Sequence, residues 1–155
     1  MAHIPDGVLS APVLVAGGVI GAAALAHGLS RLNTDRIPQA AMLTAAFFVV
    51  SLISLPVGPT SVHLMLAGLL GLLLGWAAVP AVAVGLVLQA AFFGFGGVTS
   101  LGANLAHIAL PGVLWGAAAR PLVNGAATPA QAGAVAGLAA ALAVATTGAL
   151  VALEL

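Results

Sequence analysis

The first apolar run, from about Val8 to Leu32, holds no Asp, Glu or Lys and meets its first charge only at Arg31, next to its end. At ~1.5 Å per residue a helix over that run reaches about 37 Å, more than the ~30 Å hydrocarbon core of a bilayer. The rest of the chain has the same character. Only three basic and three acidic side chains occur in 155 residues, and 63% of the residues are hydrophobic. An ordinary soluble domain is roughly a quarter charged, so this chain cannot build a water-facing surface. In hydrocarbon every backbone polar group must be paired internally, and a chain of long apolar runs does this as helices. The expected fold is all-α: one polytopic transmembrane bundle over residues 1–155. No basic residue precedes the first run and two arginines follow it, which is not the layout of a secretory signal.

Six membrane segments are expected. After the first, Arg31–Pro38 reads as a polar turn, and a second run extends from Gln39 to about Leu55, ending at Pro56. A third covers Val62–Ala78, is broken from the fourth by Pro80, and the fourth reaches Phe95. Gly96–Asn104 reads as a glycine-rich polar connection, followed by a shorter fifth run to about Ala119. Arg120–Pro129 is a further turn, and the last helix spans Ala130 to about Leu153. Arg31, Arg36 and Arg120 then fall on one side, which the positive-inside rule makes cytoplasmic. By alternation the N-terminus, Pro56–Ser61, Gly96–Asn104 and Glu154 lie outside. Gly17, Gly21 and Ala22 give the first helix small-residue faces, suited to close helix packing or to docking on a partner helix, and the docking of a partner is the reading taken.

With no cysteine in the chain, imidazole, carboxylate and main-chain nitrogen are the available strong metal ligands. His3, His63, Asn104 and His107 converge on the outer face in this topology. His63 is expected to begin a helix after Thr60 and Ser61, which can cap it, while His27 sits on the basic side and reads as an ordinary interfacial imidazole. His107 either lines the site or holds the turn before it. Asp6 reads first as a cap for the first helix, with an imidazole as its other potential partner. Gln89, in mid-segment, must face protein and is expected to tie the fourth helix to a loop. His3 also has a chelating option that side-chain spacing does not give. If Met1 is retained, the amine, two amides and the imidazole of a third-position histidine can supply four nitrogens. If Met1 is removed, the amine of Ala2 with the amide and ring of His3 supplies three, and His63 can complete a plane suited to a late divalent ion such as Ni²⁺.

Three stretches, HIPDG at His3–Gly7, GPTSVHLMLAGLLG at Gly58–Gly71 and FGFGGVTSLGAN at Phe93–Asn104, resemble the NikM and CbiM family. Its members are the substrate-specific membrane components of energy-coupling factor transporters for nickel and cobalt. The likeness runs in order over nearly the whole chain. It implies that the extracytoplasmic N-terminus plugs into the bundle and binds the metal with the histidine after the TS motif. Carried across, the ligands are the amine of Ala2 after Met1 removal, His3 and His63. Hydrogen-bond support would come from Asp6, Ser61, Asn104 and His107, and the Gly96–Asn104 loop would pack over the site. Ni²⁺ or Co²⁺ is then the transported substrate. The implied partners are a transmembrane coupling subunit, two ATPase subunits and, as an optional addition, a small accessory membrane protein, in the cytoplasmic membrane of a prokaryote.

This sequence departs from the family pattern in three places. Ala2 is an insertion, since the family usually starts Met-His, and it preserves the chelate only if Met1 is lost. His107 stands where asparagine is usual. The chain stops near Glu154, whereas family members generally continue through further membrane segments, so a compact or C-terminally truncated member is expected. No phosphate-binding loop occurs, which leaves ATP hydrolysis to partner chains. The competing reading is a structural or regulatory membrane subunit whose histidines are hydrogen-bonded and metal-free. An intramembrane enzyme is disfavoured because no serine, histidine and acid set or carboxylate pair shares a site.

Overall fold

The computed structural model describes residues 3–57, 60–63 and 65–154, with side chains at all of these except 54–57 and 60–63. Among them are six α-helices and one short hairpin. The helices are α1 (Ala11–Ser30), α2 (Ile37–Ser51), α3 (Ala67–Leu74), α4 (Ala78–Phe93), α5 (Leu101–Asn124) and α6 (Pro129–Glu154). Strands β1 (Ser54–Val57) and β2 (Thr60–His63) pair antiparallel between α2 and α3, with Ser54 opposite His63. Four helical stretches are long and apolar enough to cross a membrane: Ala11–Ser30, Ala67–Phe93, Leu101–Asn124 and Pro129–Glu154.

The expected third segment is revised. His63 does not begin a helix; it ends β2, because β-branched Thr60 and Val62 pair readily across from Ser54–Val57. Helix α3 starts only at Ala67 and is eight residues long, about 12 Å at helical rise. It lies beside the C-terminal half of α5. A Cβ on Gly112 would come within 2.5 Å of the Ala67 carbonyl, and a Cβ on Gly71 or Gly116 would overlap the facing backbone. The break between the third and fourth helices falls at Gly75, not at Pro80. Gly75 has φ 61° and leads into a 3-10 turn, Gly75–Ala77, a conformation that disfavours a side chain. Pro80 sits in the first turn of α4, where its missing N–H has no helical acceptor to serve. The chain reverses here. α3 follows α5 toward Arg120, whereas α4 starts beside Gly28 and runs out parallel to α2, with Thr44 meeting Ala81, Phe47 meeting Gly85 and Ser51 meeting Gln89.

The fifth helix is longer than its apolar run. α5 takes in Leu101–Asn104 and Arg120–Asn124, stretches that read as connections. Their small and polar residues are helical because they face protein. Gly102 packs on Gly18, Asn104 is 2% exposed, and Arg120 donates from Nε and Nη2 to the Leu72 carbonyl at 3.1 and 2.7 Å. That guanidinium caps the truncated end of α3, where carbonyls lack helical donors. Pro111, inside α5, leaves the His107 carbonyl without its helical donor. Thr147 of α6 supplies it, Oγ1 to O at 2.8 Å.

The core runs through Phe47, Leu70, Val79, Val82, Leu86 and Ile108, all buried. The small face of α1 also turns inward. A Cβ on Gly17 would lie 2.7 Å from Ala103 Cβ, and one on Gly21 would overlap the Gly102 carbonyl. The expectation that Gly17 and Gly21 dock a partner is therefore corrected: their close-approach surface is used on α5, and of the three only Ala22 is exposed. Glycine positions differ sharply in tolerance. Gly71→Ala should destabilise the bundle by about 1–3 kcal/mol through overpacking, while Gly133→Ala, with nothing within 4 Å of the added methyl, should not. Thermal unfolding in detergent, read by circular dichroism, checks the pair.

Candidate metal centre

The N-terminal segment folds back into the bundle, against the start of α5. Ile4 is 1% exposed and His3 is 7% exposed. The Ile4 N–H donates to Asn104 Oδ1 at 2.8 Å, and the Ile4 carbonyl accepts from Asn104 Nδ2 at 3.0 Å and Ser100 Oγ at 2.6 Å. One asparagine thus pairs both polar groups of a buried residue, as a neighbouring strand would. Asp6 fixes the next stretch. Its carboxylate accepts from the N–H groups of Val98, Thr99 and Ser100 at 3.1, 3.0 and 3.2 Å, and from Thr99 Oγ1 at 2.5 Å.

Asp6 therefore holds the turn that leads into α5 and does not cap α1. The chain turns at Gly7 (φ 82°), and α1 begins at Ala11 with Pro12 in its first turn and no side-chain cap bond from Ser10. Over this latch lies the Gly96–Gly97 loop. Gly96 has φ 75°, and a Cβ there would come 3.1 Å from Asn104 Nδ2. One on Gly97 would overlap the Asp6 carboxylate.

His3 faces α4. Its Nε2 lies 2.7 Å from Gln89 Oε1, and Phe95 lines the ring at a centroid distance of 6.3 Å. Gln89 is fully buried and its Nε2 donates to Ser51 Oγ of α2. Gln89 faces protein, as its position in an apolar run demanded, and what it ties down is the N-terminal segment.

The other candidate residues lie as follows. His107 does not point at the N-terminal segment. Its Nε2 sits 2.9 Å from Glu154 Oε1 near the end of α6. His27 is exposed at the other end of α1 and meets Trp76 edge-on, 4.6 Å between centroids. Ala2 and the side chains of Ser61 and His63 lie outside the described residues. The backbone of His63 is placed by its pairing with Ser54, three residues after the Ser51 that holds Gln89. Among the described residues no three His, Cys, Asp or Glu side chains cluster as a metal site, so a metal beside His3 would draw on main-chain nitrogen or on residues outside that set.

A sequence model for the cobalt uptake substrate-specific transmembrane region, CbiM, matches residues 3–155. The chain belongs to the CbiM family. A Haemophilus influenzae protein provisionally named a metal transport protein is 50% identical over 112 residues, covering 72% of this chain and 54% of that protein. The fused nickel transport protein NikMN of Rhodobacter capsulatus is 41% identical over 123 residues, 75% of this chain and 35% of that protein. The chain thus spans about half, or less, of the length of these relatives. A crystal structure of a truncated transition metal transporter superposes with a TM-score of 0.71 at 26% identity, covering 94% of this chain and 74% of that one.

In this CbiM-family chain the residues that hold the N-terminus include two, Ser51 and Ser100, that sequence reasoning did not single out as site residues. Serine inside or beside an apolar helix gives no signal of its long-range partner. The Asp6 latch has a pH signature. Its hydrogen bond from Thr99 holds the carboxyl below its ordinary value against the opposing effect of desolvation, with three main-chain N–H groups each adding a smaller lowering. A lowered value in the folded state means the stabilisation is fully present above the ordinary pKa of about 4 and is lost as pH falls through the lowered folded value. Protection against amide hydrogen exchange at Val98–Ser100, taken relative to the intrinsic rate at each pH, should fall below about pH 4, and in Asp6→Asn should be low at neutral pH as well.

Proposed function

We propose that this chain is the substrate-binding membrane component of an energy-coupling factor transporter for uptake of Ni²⁺ or Co²⁺. The observation that carries the reading is the N-terminal segment seated inside the bundle, with His3 buried and both polar groups of Ile4 held by Asn104. Burying a chain end costs conformational entropy and desolvation, which a metal chelated by that end would offset. In this scheme Met1 is removed, and the Ala2 amine, the His3 amide and ring, and His63 supply four nitrogens. Relatives named for nickel and a family described by cobalt uptake keep both ions as substrates. A transmembrane coupling subunit and two ATPase subunits would supply the energy, with a small accessory membrane protein as an optional fourth partner.

The arrangement across the membrane follows the same reading. The chain crosses the cytoplasmic membrane of a prokaryote six times, with α3 in the third crossing. Arg31, Arg36 and Arg120 share the end of the bundle where α3 turns into α4, which supports a cytoplasmic assignment for that end and an outer one for His3. Two measurements test the proposal together. Protein purified in mild detergent should bind one nickel or cobalt ion per chain. Single cysteines at Ser61 and Ala126 should react with an impermeant thiol reagent from opposite sides of intact cells, Ser61 from outside. Metal-free protein that takes up neither ion, or reversed labelling, would overturn it.

A further inference from the structure

We infer that Gln89 is a positioning residue for the metal, fixing the His3 ring in the tautomer that chelation by the chain terminus requires. The inference rests on the proposed metal reading and adds a residue to it. Ser51 Oγ lies 2.7 Å from the Phe48 carbonyl, an oxygen that can only accept, so the hydroxyl proton points there. Ser51 therefore receives, and does not give, the hydrogen bond it shares with Gln89. That orients the Gln89 amide with its NH2 toward Ser51 and its Oε1 toward His3. A carbonyl oxygen only accepts, so His3 Nε2, 2.7 Å away, carries the ring proton. The lone pair is then on Nδ1. Only Nδ1 can close a six-membered ring with the His3 amide nitrogen around one metal ion; Nε2 lies on the far side of the imidazole.

The relay Phe48 carbonyl, Ser51, Gln89, His3 thus presets the ring before any ion arrives and keeps its N–H paired once Nδ1 is bound. An acceptor on the distal nitrogen of a metal-bound histidine raises its basicity, and loss of such a partner typically weakens metal affinity 10–100-fold. Both Ser51 and Gln89 are at most 1% exposed, so water does not replace either bond. This also explains why an amide sits mid-way along an otherwise apolar helix: Gln89 occupies the α4 position that faces the N-terminal segment on one side and α2 on the other.

The test compares wild type with Gln89→Met, which keeps the length of the side chain and removes the acceptor, and Gln89→Glu, which restores an acceptor. Two readouts are used on the full chain in detergent: ¹⁵N shifts of the ring nitrogens in histidine-labelled, metal-free protein, and titration with nickel ion alone. Wild-type His3 should show the Nε2–H form. Gln89→Met should show a mixture with Nδ1–H and bind nickel 10–100-fold more weakly, and Gln89→Glu should recover both the tautomer and most of the affinity. A folded Gln89→Met protein with wild-type tautomer and wild-type affinity overturns the inference while leaving the metal reading intact. Wild type that binds no nickel overturns the metal reading, and the ring shifts still decide whether Gln89 sets the tautomer.

Discussion

His63→Ala should abolish stoichiometric nickel binding while leaving the helical bundle folded. The second half of that expectation comes from the structure. His63 ends a two-stranded ribbon, β1 with β2, and starts no helix, so its replacement removes no helix cap. The first half comes from position. Opposite His63 in the ribbon is Ser54, and three residues before Ser54 is Ser51, whose hydroxyl accepts from Gln89 as Gln89 in turn accepts from His3. Two histidines 60 residues apart in sequence are thereby anchored to one end of α2 and α4. If the terminal amine, the His3 amide and the His3 ring fill three positions of a plane, His63 is the fourth nitrogen. Losing it opens the plane to water, and titration calorimetry should then detect no binding up to high micromolar nickel. Unchanged affinity in a folded variant would eliminate the four-nitrogen site.

The short α3 sets where the chain becomes helical after the ribbon. A full-length third helix would have carried His63 on its first turn. Instead His63 closes the ribbon, Met65 is buried at 6% exposure, and the chain is helical only from Ala67, beside Gly112. Backbone that is not helical at membrane depth is tolerated where protein surrounds it, and broken helices of this kind are a recurrent way of bringing backbone and side chains to a substrate site.

Most of the helices were legible in the sequence, because an apolar run without charge has no other stable form in lipid. Their ends were less so, for identifiable reasons. Hydropathy merged Val62 and the residues after it into one helix, since a short apolar strand and the start of an apolar helix read alike; the β-branched alternation of Thr60 and Val62, with proline at positions 56 and 59, was the contrary signal. Gly102 and Asn104 looked like loop because their reason for being helical is a partner nearly a hundred residues away. Asp6 was assigned to its nearest helix for the same reason, while its real donors are at Val98–Ser100. His3 and Asn104 were placed on one face by topology alone, and the structure brings them to adjacent residues of one latch. His107 was carried to that face too, but its ring turns toward Glu154, because the next turn of α5 faces α6.

Acetylating the terminal amine should lower nickel affinity by orders of magnitude, an effect as large as that of His63→Ala and obtained without altering any side chain. An acetylated nitrogen is an amide: it has no lone pair to give at neutral pH, and the five-membered ring it would share with the His3 amide does not form. The expectation depends on the mature first residue. Ala2 is small, the circumstance in which Met1 is removed, and intact-mass measurement should show the chain starting at Ala2. The nickel form should then be diamagnetic with the absorption of a planar four-nitrogen complex, and acetylation should abolish that spectrum. The same chelate fixes the pH dependence. The amine, with an ordinary pKa near 8, and the His3 amide must both release protons on binding, as must any protonated imidazole. Affinity should therefore fall steeply as pH drops from 8 to 6, more steeply than for a site made of imidazoles alone. A protein that retains Met1 and yet loses all nickel on His63→Ala would contradict the scheme, because a third-position histidine with the amine and two amides already fills the plane. That result would replace the terminal chelate with a site in which His3 and His63 bind through their rings.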